Sequence, residues 1–220
     1  MNIHDFHAVI FDLDGTLIDS MWVWKQIDID YLAKKQIAFP LQFQSELDGM
    51  SFTETAVYFK EHFQLEDSVE AIKQDWIDMS YQKYTQDVTL KEGVLPFLRF
   101  LADSNIPMGI GTSSNRQLAE GVLCRHQIDG YFSSLRTSCE VEAGKPNPAI
   151  FLKVAEDLGV NPKNCLVFED TLAGIQAAKR AGMAVIAIHE PAHAHRRDEI
   201  QALADEYLDN FHPLLKNTCK

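Results

Sequence analysis

Cysteine is scarce in this sequence, and the few cysteines lie far apart. They are Cys124, Cys139, Cys165 and Cys219, and no two of them form a Cys-x-x-Cys pair. This spacing argues against a structural zinc site and against a disulfide framework. We therefore expect a protein that works in a reducing compartment, the cytoplasm.

Long apolar runs are also missing. No stretch approaches the ~20 consecutive apolar residues that a membrane-spanning helix needs. The first predicted strand begins at Ala8, which leaves no room for a charged leader followed by an apolar signal segment. We expect a soluble, unprocessed protein that has no membrane partner.

Positive charge is in short supply. The chain has 20 Lys and Arg residues against 32 Asp and Glu residues, which gives a net charge of −12. No local basic cluster offsets this charge, so nucleic acid and anionic membranes are not expected partners. An anionic substrate would need positive charge concentrated at its site, supplied by a metal ion and a few lysines.

The stretch from Phe11 to Asp19 is the most informative part of the sequence. It follows the short apolar run Ala8-Val9-Ile10-Phe11, which is typical of a buried strand, and it places Asp12 and Asp14 at the strand's carboxyl end. Ligands of open α/β sheets bind beyond the carboxyl ends of the strands. Two carboxylates at such a position need a cation or a proton, so we interpret them as site residues.

Residues 12–19, Asp-Leu-Asp-Gly-Thr-Leu-Ile-Asp, resemble the nucleophile motif of the haloacid dehalogenase superfamily of phosphohydrolases in its phosphatase-like form. Three later segments resemble the family's other motifs, in the family's order. They are Thr112 with Ser113 and Ser114, then Lys145 before a proline, and finally Glu169-Asp170-Thr171-Leu172-Ala173-Gly174. The first and last of these three follow predicted strands.

The segment after Thr112 allows two interpretations. Ser114-Asn115-Arg116-Gln117 has the spacing of a capping box, so Ser114 could do no more than cap the next helix. The same junction of strand end and helix N-terminus also offers hydroxyls and free backbone N–H groups that bind phosphate. The position of this segment in the motif order favours phosphate binding.

The predicted fold class is α/β, with a Rossmann-like, mainly parallel sheet as its core and an inserted, mostly α-helical cap domain. We assign residues 1–18 and 88–220 to the core and residues 19–87 to the cap. The helical pattern includes a capping box at Ser51 and Glu54, and a short helix that starts near Phe39-Pro40 and ends at Gly49. The position of the insertion resembles that in the subgroup of β-phosphoglucomutase and phosphoglycolate phosphatase. We expect a monomer.

The resemblance implies a role for each matched residue. Asp12 would be the nucleophile that forms an aspartyl phosphate, and Asp14 would be the general acid and base. Thr112, Ser113 and Lys145 would hold the phosphate oxygens of the substrate.

The resemblance also implies a metal site. Its ligands would be a carboxylate oxygen of Asp12, the backbone carbonyl of Asp14 and the side chain of Asp170, with Glu169 bound directly or through water. Four neighbouring carboxylates would strongly repel a phosphate dianion, and a hard divalent cation removes that repulsion. Oxygen ligands completed by water and phosphate suit Mg²⁺.

Three functions compete. The first is an Mg²⁺-dependent phosphatase that acts on a small phosphorylated metabolite, such as a sugar phosphate. The second is a sugar phosphomutase of the β-phosphoglucomutase type, and the third is a non-catalytic phosphate-binding regulatory module. A dehalogenase is disfavoured, because that chemistry has no use for Asp14 together with Glu169 and Asp170.

Two cap positions favour the phosphatase over the mutase. The arginine with which those mutases hold a second phosphate aligns with Phe52, and their early cap histidine aligns with Trp24. Lys25, Lys60 or Lys73 could still supply positive charge from elsewhere in the cap.

Two further groups of residues have no assigned role. The aromatic residues of the cap could cover the leaving group or could be ordinary cap core; they are Trp22, Trp24, Phe43, Phe52 and Trp76. The three histidines of the loop after residue 188 lack a helical or strand frame for metal binding, so we interpret this loop as solvated; they are His189, His193 and His195.

Overall fold

The computed structural model describes residues 1–40, 47 and 50–216. The strands are β1 (Ala8–Phe11), β2 (Ile18–Asp19), β3 (Thr89–Leu90), β4 (Met108–Thr112), β5 (Phe132–Thr137), β6 (Cys165–Glu169), β7 (Ala184–Ile188) and β8 (Glu206–Leu208). The α-helices are α1 (Met21–Lys34), α2 (Phe52–His62), α3 (Val69–Gln86), α4 (Val94–Asp103), α5 (Arg116–Arg125), α6 (Ala149–Leu158), α7 (Leu172–Arg180), α8 (Arg197–Leu203) and α9 (His212–Lys216). Within these residues, no helix has the length and apolar character needed to cross a lipid bilayer.

Six strands form one sheet in the order β5-β4-β1-β6-β7-β8, and every neighbouring pair is parallel. This arrangement confirms the predicted α/β class with a mainly parallel sheet. Strand β1 lies inside the sheet between β4 and β6. The residues that follow these three strands therefore meet at one edge, which is the edge where parallel sheets bind ligands.

Strand β1 shows why this sheet is covered on both sides. All four of its residues are buried, and they alternate between two apolar clusters. Val9 and Phe11 belong to the cluster that includes apolar residues of α4, α5 and α9. Ala8 and Ile10 belong to the cluster that includes residues of α6, α7 and α8. A continuous apolar strand is the expected pattern for a parallel sheet with helices on both faces.

Helices α1, α2 and α3 occupy the chain between β2 and β3. Their inward residues, among them Ile27, Phe59 and Trp76, belong to the same apolar cluster as Val9 and Phe11. Strands β2 and β3 pair antiparallel, so the two chain segments that enter and leave this helical region run side by side. The position of these helices fits the predicted cap, whose boundaries stay a prediction.

The start of α2 confirms the predicted capping box. The Ser51 hydroxyl accepts a hydrogen bond from the Glu54 backbone N–H, and the Glu54 carboxylate accepts one from the Ser51 backbone N–H. At the start of α5 the alternative in which Ser114 caps the helix does not hold, because the N-cap residue is Asn115. The Asn115 side chain accepts from the backbone N–H of Gln117. The short helix predicted to end at Gly49 falls largely outside the described residues.

Candidate active site

A buried lysine joins two acidic residues at the carboxyl edge of the sheet. Lys145 Nζ lies 2.5 Å from Asp12 Oδ1 and 2.7 Å from Glu169 Oε1. Asp12 follows β1, Glu169 ends β6, and Lys145 lies in the loop before α6, so residues far apart in sequence converge here. Asp12 and Lys145 are each only 5% exposed.

Burial and ion pairing compete at this cluster. Burial raises the pKa of Asp12 well above its ordinary value, and the nearby Lys145 ammonium opposes that increase. Burial by itself lowers the pKa of Lys145, but the carboxylates of Asp12 and Glu169 outweigh it, so the pKa of Lys145 is raised. Lys145 is therefore a fixed positive charge next to the predicted nucleophile.

The second oxygen of Glu169 is held by the start of α7. Glu169 Oε2 accepts from the backbone N–H groups of Asp170 and Thr171, both at 2.7 Å, and from the Thr171 hydroxyl at 3.0 Å. A Cβ atom at Gly174 would lie 1.6 Å from Glu169 Oε1, so only glycine lets the helix approach this carboxylate. The structure thus fixes both oxygens of Glu169 with donors of the protein.

Asp170 lies beside Asp12 at the neighbouring strand end. Its Oδ1 accepts a hydrogen bond of 2.8 Å from the Thr16 hydroxyl, and its Oδ2 lies 2.9 Å from His193 Nδ1. Burial raises the pKa of Asp170, and His193 opposes that increase. Gly15, with φ of +82°, passes so close that an added Cβ would lie 2.3 Å from Asp170 Oδ2.

Asp14 faces the helical region rather than Lys145. Its Oδ1 accepts from the Ser20 hydroxyl at 2.6 Å, from Trp24 Nε1 at 3.3 Å and from the Tyr84 hydroxyl. Ser20 is the residue before α1, but its hydroxyl makes no capping bond to the helix and binds Asp14 instead. Residues of α1 and α3 therefore set the orientation of Asp14.

The segment after β4 lies against the same cluster. Thr112 is buried, and its hydroxyl accepts from the backbone N–H of Ser114 at 3.0 Å. The backbone carbonyl of Ser113 accepts from the backbone N–H of Phe52 at 3.2 Å, so the start of α2 is attached directly to this segment. Thr112 and Ser113 both line the cavity above Asp12.

This cavity has a volume of about 160 Å³. Its floor is formed by the acidic cluster with Lys145 and the Thr112 segment, and its roof by residues of α1, α2 and α3. Trp24, Phe52 and Trp76 line it. These three aromatic residues of the cap therefore lie where they can cover a leaving group. Trp22 is 44% exposed and does not line it, and Phe43 lies outside the described residues.

Sequence reasoning missed two residues of this site, Tyr84 and His193. The prediction of a solvated loop is wrong for His193, which is 5% exposed, lines the cavity and contacts Asp170. The sequence did contain a signal for His193. Its loop follows the predicted strand β7, and the carboxyl ends of parallel strands lie at the same edge of the sheet, where ligands bind. Tyr84 stands near the end of α3 and carries no local signal, because only tertiary packing brings it to Asp14.

The donor set fits a hard divalent cation. The carboxylates of Asp12 and Asp170 follow adjacent strands and both are buried, and burial is the main reason that their pKa values are raised. Oxygen donors of this kind suit Mg²⁺ rather than zinc. Among the described residues no three His, Cys, Asp or Glu side chains form a ready-made metal cluster. A site made of two carboxylates and a backbone carbonyl does not require such a cluster.

A family model described as haloacid dehalogenase-like hydrolase matches residues 9–188 of the chain. The chain belongs to this family. The chain is 30% identical over 195 residues to hexitol phosphatase A of Escherichia coli strain K12, and the match covers 87% of each chain.

Solved structures of other proteins share the fold of this chain. CbbY from Rhodobacter sphaeroides, solved with phosphate, has a TM-score of 0.86 at 21% identity, and the match covers 95% of this chain and 96% of that one. A β-phosphoglucomutase from Clostridium difficile has a TM-score of 0.81 at 25% identity, with 95% and 93% covered. This hydrolase thus resembles both phosphatases and a mutase.

Proposed function

We propose that this hydrolase is a phosphatase that releases inorganic phosphate from the phosphate monoester of a small metabolite. The observation that carries the proposal is the buried Asp12–Lys145 pair at 2.5 Å on the floor of a cavity. Lys145 neutralises one charge of an approaching phosphate while Asp12 remains available as a nucleophile. The phosphatases among the relatives support the same reaction.

Asp12 and Asp14 divide the chemistry between them. A carboxylate oxygen of Asp12 attacks phosphorus, the bond from phosphorus to the leaving oxygen breaks, and Asp14 gives that oxygen its proton. A water molecule then returns a proton to Asp14 and attacks phosphorus, which frees inorganic phosphate and restores the Asp12 carboxylate. Thr112, Ser113 and Lys145 hold the phosphate oxygens during both steps.

The cofactor we expect is Mg²⁺, held by the Asp12 carboxylate, the Asp14 backbone carbonyl and the Asp170 carboxylate. It would neutralise the charge of the phosphate when bound. Glu169 binds Lys145 through one oxygen and accepts two backbone N–H bonds and a hydroxyl bond through the other. We therefore assign Glu169 the role of holding Lys145 in place, with any metal contact made through water.

A test of the phosphatase is phosphate release from p-nitrophenyl phosphate, measured with Mg²⁺ and with EDTA. Turnover should need the metal and should be abolished in Asp12→Asn, whose amide keeps the shape of the side chain but is no nucleophile. Asp103→Asn, on the exposed end of α4, is the matched control and should keep full activity. Metal-dependent turnover that survives in Asp12→Asn would overturn the assignment of the nucleophile.

The structural similarity to a β-phosphoglucomutase makes a sugar phosphomutase the second candidate. A mutase must hold the second phosphate of a bisphosphate intermediate, which calls for a cationic side chain in the roof. Across residues 1–40, 47 and 50–216, Lys145 on the floor is the only lysine or arginine that lines the cavity.

The cap lysines have other positions and partners. Lys60 donates to two backbone carbonyls, Lys73 donates to the Thr53 hydroxyl, and Lys25 is exposed. The roof therefore favours the phosphatase.

A further inference from the structure

The roof of the cavity contains one buried acidic side chain that the proposed chemistry does not use, Asp28. It lies on α1 with Met21 and Trp24, at the helical spacing that places all three on one face, and all three line the cavity. Asp28 is 6% exposed, and most of the other roof residues that line the cavity are apolar or aromatic.

The carboxyl of Asp28 has no partner within the part of the chain that the structure describes. No side-chain or backbone donor hydrogen-bonds to it and no cation approaches it, so burial alone raises its pKa, to about 7. Buried carboxyls are otherwise hydrogen-bonded or paired, because desolvation without compensation is costly. A carboxyl kept in this state at the wall of a binding cavity is best explained by a partner that arrives with the ligand.

We propose that Asp28 recognises hydroxyl groups on the leaving part of the substrate, which makes that substrate the phosphate ester of a small polyhydroxylated compound such as a sugar alcohol or sugar. This proposal rests on the proposed phosphatase function. The Asp28 carboxyl oxygens accept hydrogen bonds from the hydroxyls, while Trp24, Phe52 and Trp76 cover the C–H surface of the carbon chain. A site that hydrogen-bonds a hydroxyl discriminates strongly against analogues without it, because its own polar group is then left without a partner.

An amine is the alternative partner for a buried carboxyl. A protonated or half-protonated carboxyl can both donate to and accept from a hydroxyl, whereas an ammonium group can only donate and needs the fully ionised acid. Burial of Asp28 disfavours the ionised form. We therefore commit to hydroxyl recognition and make amine recognition an outcome of the test.

The test compares kcat/KM for matched esters with Mg²⁺ present. The polyol esters are ribitol 5-phosphate, xylitol 5-phosphate and glucitol 6-phosphate, and the reference is pentyl phosphate, which has a carbon chain without further hydroxyls. The best polyol ester should exceed pentyl phosphate in the wild type. The variant Asp28→Leu should lower that ratio by about 100-fold. Asp30→Asn, on the same helix but not lining the cavity, should leave it unchanged.

Three results would overturn the proposal. They are a wild-type ratio near one for every polyol ester, an unchanged ratio in Asp28→Leu, or a preference for 5-aminopentyl phosphate that Asp28→Leu removes. If Asp28→Leu does not fold, as judged by circular dichroism, Asp28→Ala replaces it. Its methyl group neither donates nor accepts a hydrogen bond, so the ratio should again fall by about 100-fold, and an unchanged ratio in this variant would again contradict us.

Failure of the phosphatase itself gives a different result. In that case the wild type hydrolyses neither the polyol esters nor pentyl phosphate. Calorimetric titration with the polyol esters then tests Asp28 separately, because binding does not need turnover. Asp28→Leu should weaken binding by roughly tenfold or more, and equal affinity in the two proteins would overturn the assignment.

Discussion

At the residue scale, the candidate site combines buried charges that are paired with one that is not. Lys145 lies between Asp12 and Glu169, and Asp170 contacts Thr16 and His193. Asp28, in the roof above them, has no such partner among the described residues. The paired groups therefore form a fixed binding floor, whereas the unpaired carboxyl makes the folded protein sensitive to pH.

Asp28 should make the free energy of unfolding decrease with rising pH. Its pKa is about 7 in the folded protein and about 3.9 in an unfolded chain. Between these two values the folded state holds a proton that the unfolded state has lost, so stability falls as pH rises from about 4 to about 7.

Urea denaturation of wild type and Asp28→Asn in EDTA measures this effect. From pH 5 to pH 8 the variant should gain about 2–3 kcal/mol relative to the wild type, since Asn does not titrate. A stability difference that stays the same at both pH values would contradict the raised pKa.

At the element scale, the sequence predicted the site residues at strand ends well, but it did not predict which helical residues contact them. Asp12, Thr112 and Asp170 could be predicted because an apolar run that ends in polar residues is a local signal. Tyr84 could not, because its contact with Asp14 depends on how α3 packs in three dimensions. His193 was misinterpreted because its loop was assessed only for regular secondary structure. The loop follows β7, and the carboxyl end of β7 lies at the same edge of the sheet as the carboxyl ends of β1 and β6.

The start of α7 offers a direct test of this positioning. In Gly174→Ala the new Cβ would lie 1.6 Å from Glu169 Oε1, so Glu169 must move and Lys145 with it. Because a displacement of ~1 Å can cost about 100-fold in rate, we expect kcat/KM for p-nitrophenyl phosphate to fall by about that factor. Gly130→Ala is the control, since nothing lies within 4 Å of its Cβ position. Equal activity in the two variants would contradict the packing argument.

The N-terminus of α2 couples the roof to the floor. Ser51 caps this helix, Phe52 N donates to the Ser113 carbonyl, and Glu54 accepts from the backbone N–H of Gly144, next to Lys145. Burial would raise the pKa of Glu54, but the hydrogen bonds from Ser51 and Gly144 outweigh it and lower that pKa. The Glu54 carboxylate therefore holds the start of α2 through charge-assisted hydrogen bonds from Ser51 and from Gly144.

Ser51→Ala should cost about 1 kcal/mol of unfolding free energy in urea, as the loss of an N-cap does. Ser68→Ala is the matched control, because Ser68 caps α3 with the same kind of bond, and Val69 after it does not line the cavity as Phe52 does. We expect similar stability losses in both variants and a raised KM in Ser51→Ala alone. A raised KM in both, or in neither, would show that the α2 start does not act on the site.

At the scale of the whole molecule, the balance of charge limits the chemistry. On the proposed function, a chain with net charge −12 would bind a phosphate dianion at a floor whose lysine is Lys145. The roof that the structure describes adds aromatic rings and Asp28 but no cationic side chain. A single phosphate can be held by such a site together with a divalent cation, whereas a bisphosphate would leave its second phosphate against an apolar and acidic surface.

Product analysis separates the two reactions. Incubation with β-glucose 1-phosphate and a trace of the 1,6-bisphosphate should release free phosphate faster than it forms glucose 6-phosphate. A coupled assay for glucose 6-phosphate and a colorimetric phosphate assay follow the two products in one sample. Faster accumulation of glucose 6-phosphate would establish the mutase instead.

The covalent step is tested most directly by trapping it on Asp12. The protein is mixed with Mg²⁺ and a phosphate ester that it hydrolyses, quenched in acid within the first turnovers and digested for mass spectrometry. We predict one phosphoryl group on the peptide that contains Asp12, which disappears as the substrate is consumed and is absent in Asp12→Asn. Turnover without any phosphorylated peptide, or with the phosphoryl group on another residue, would contradict the proposed nucleophile.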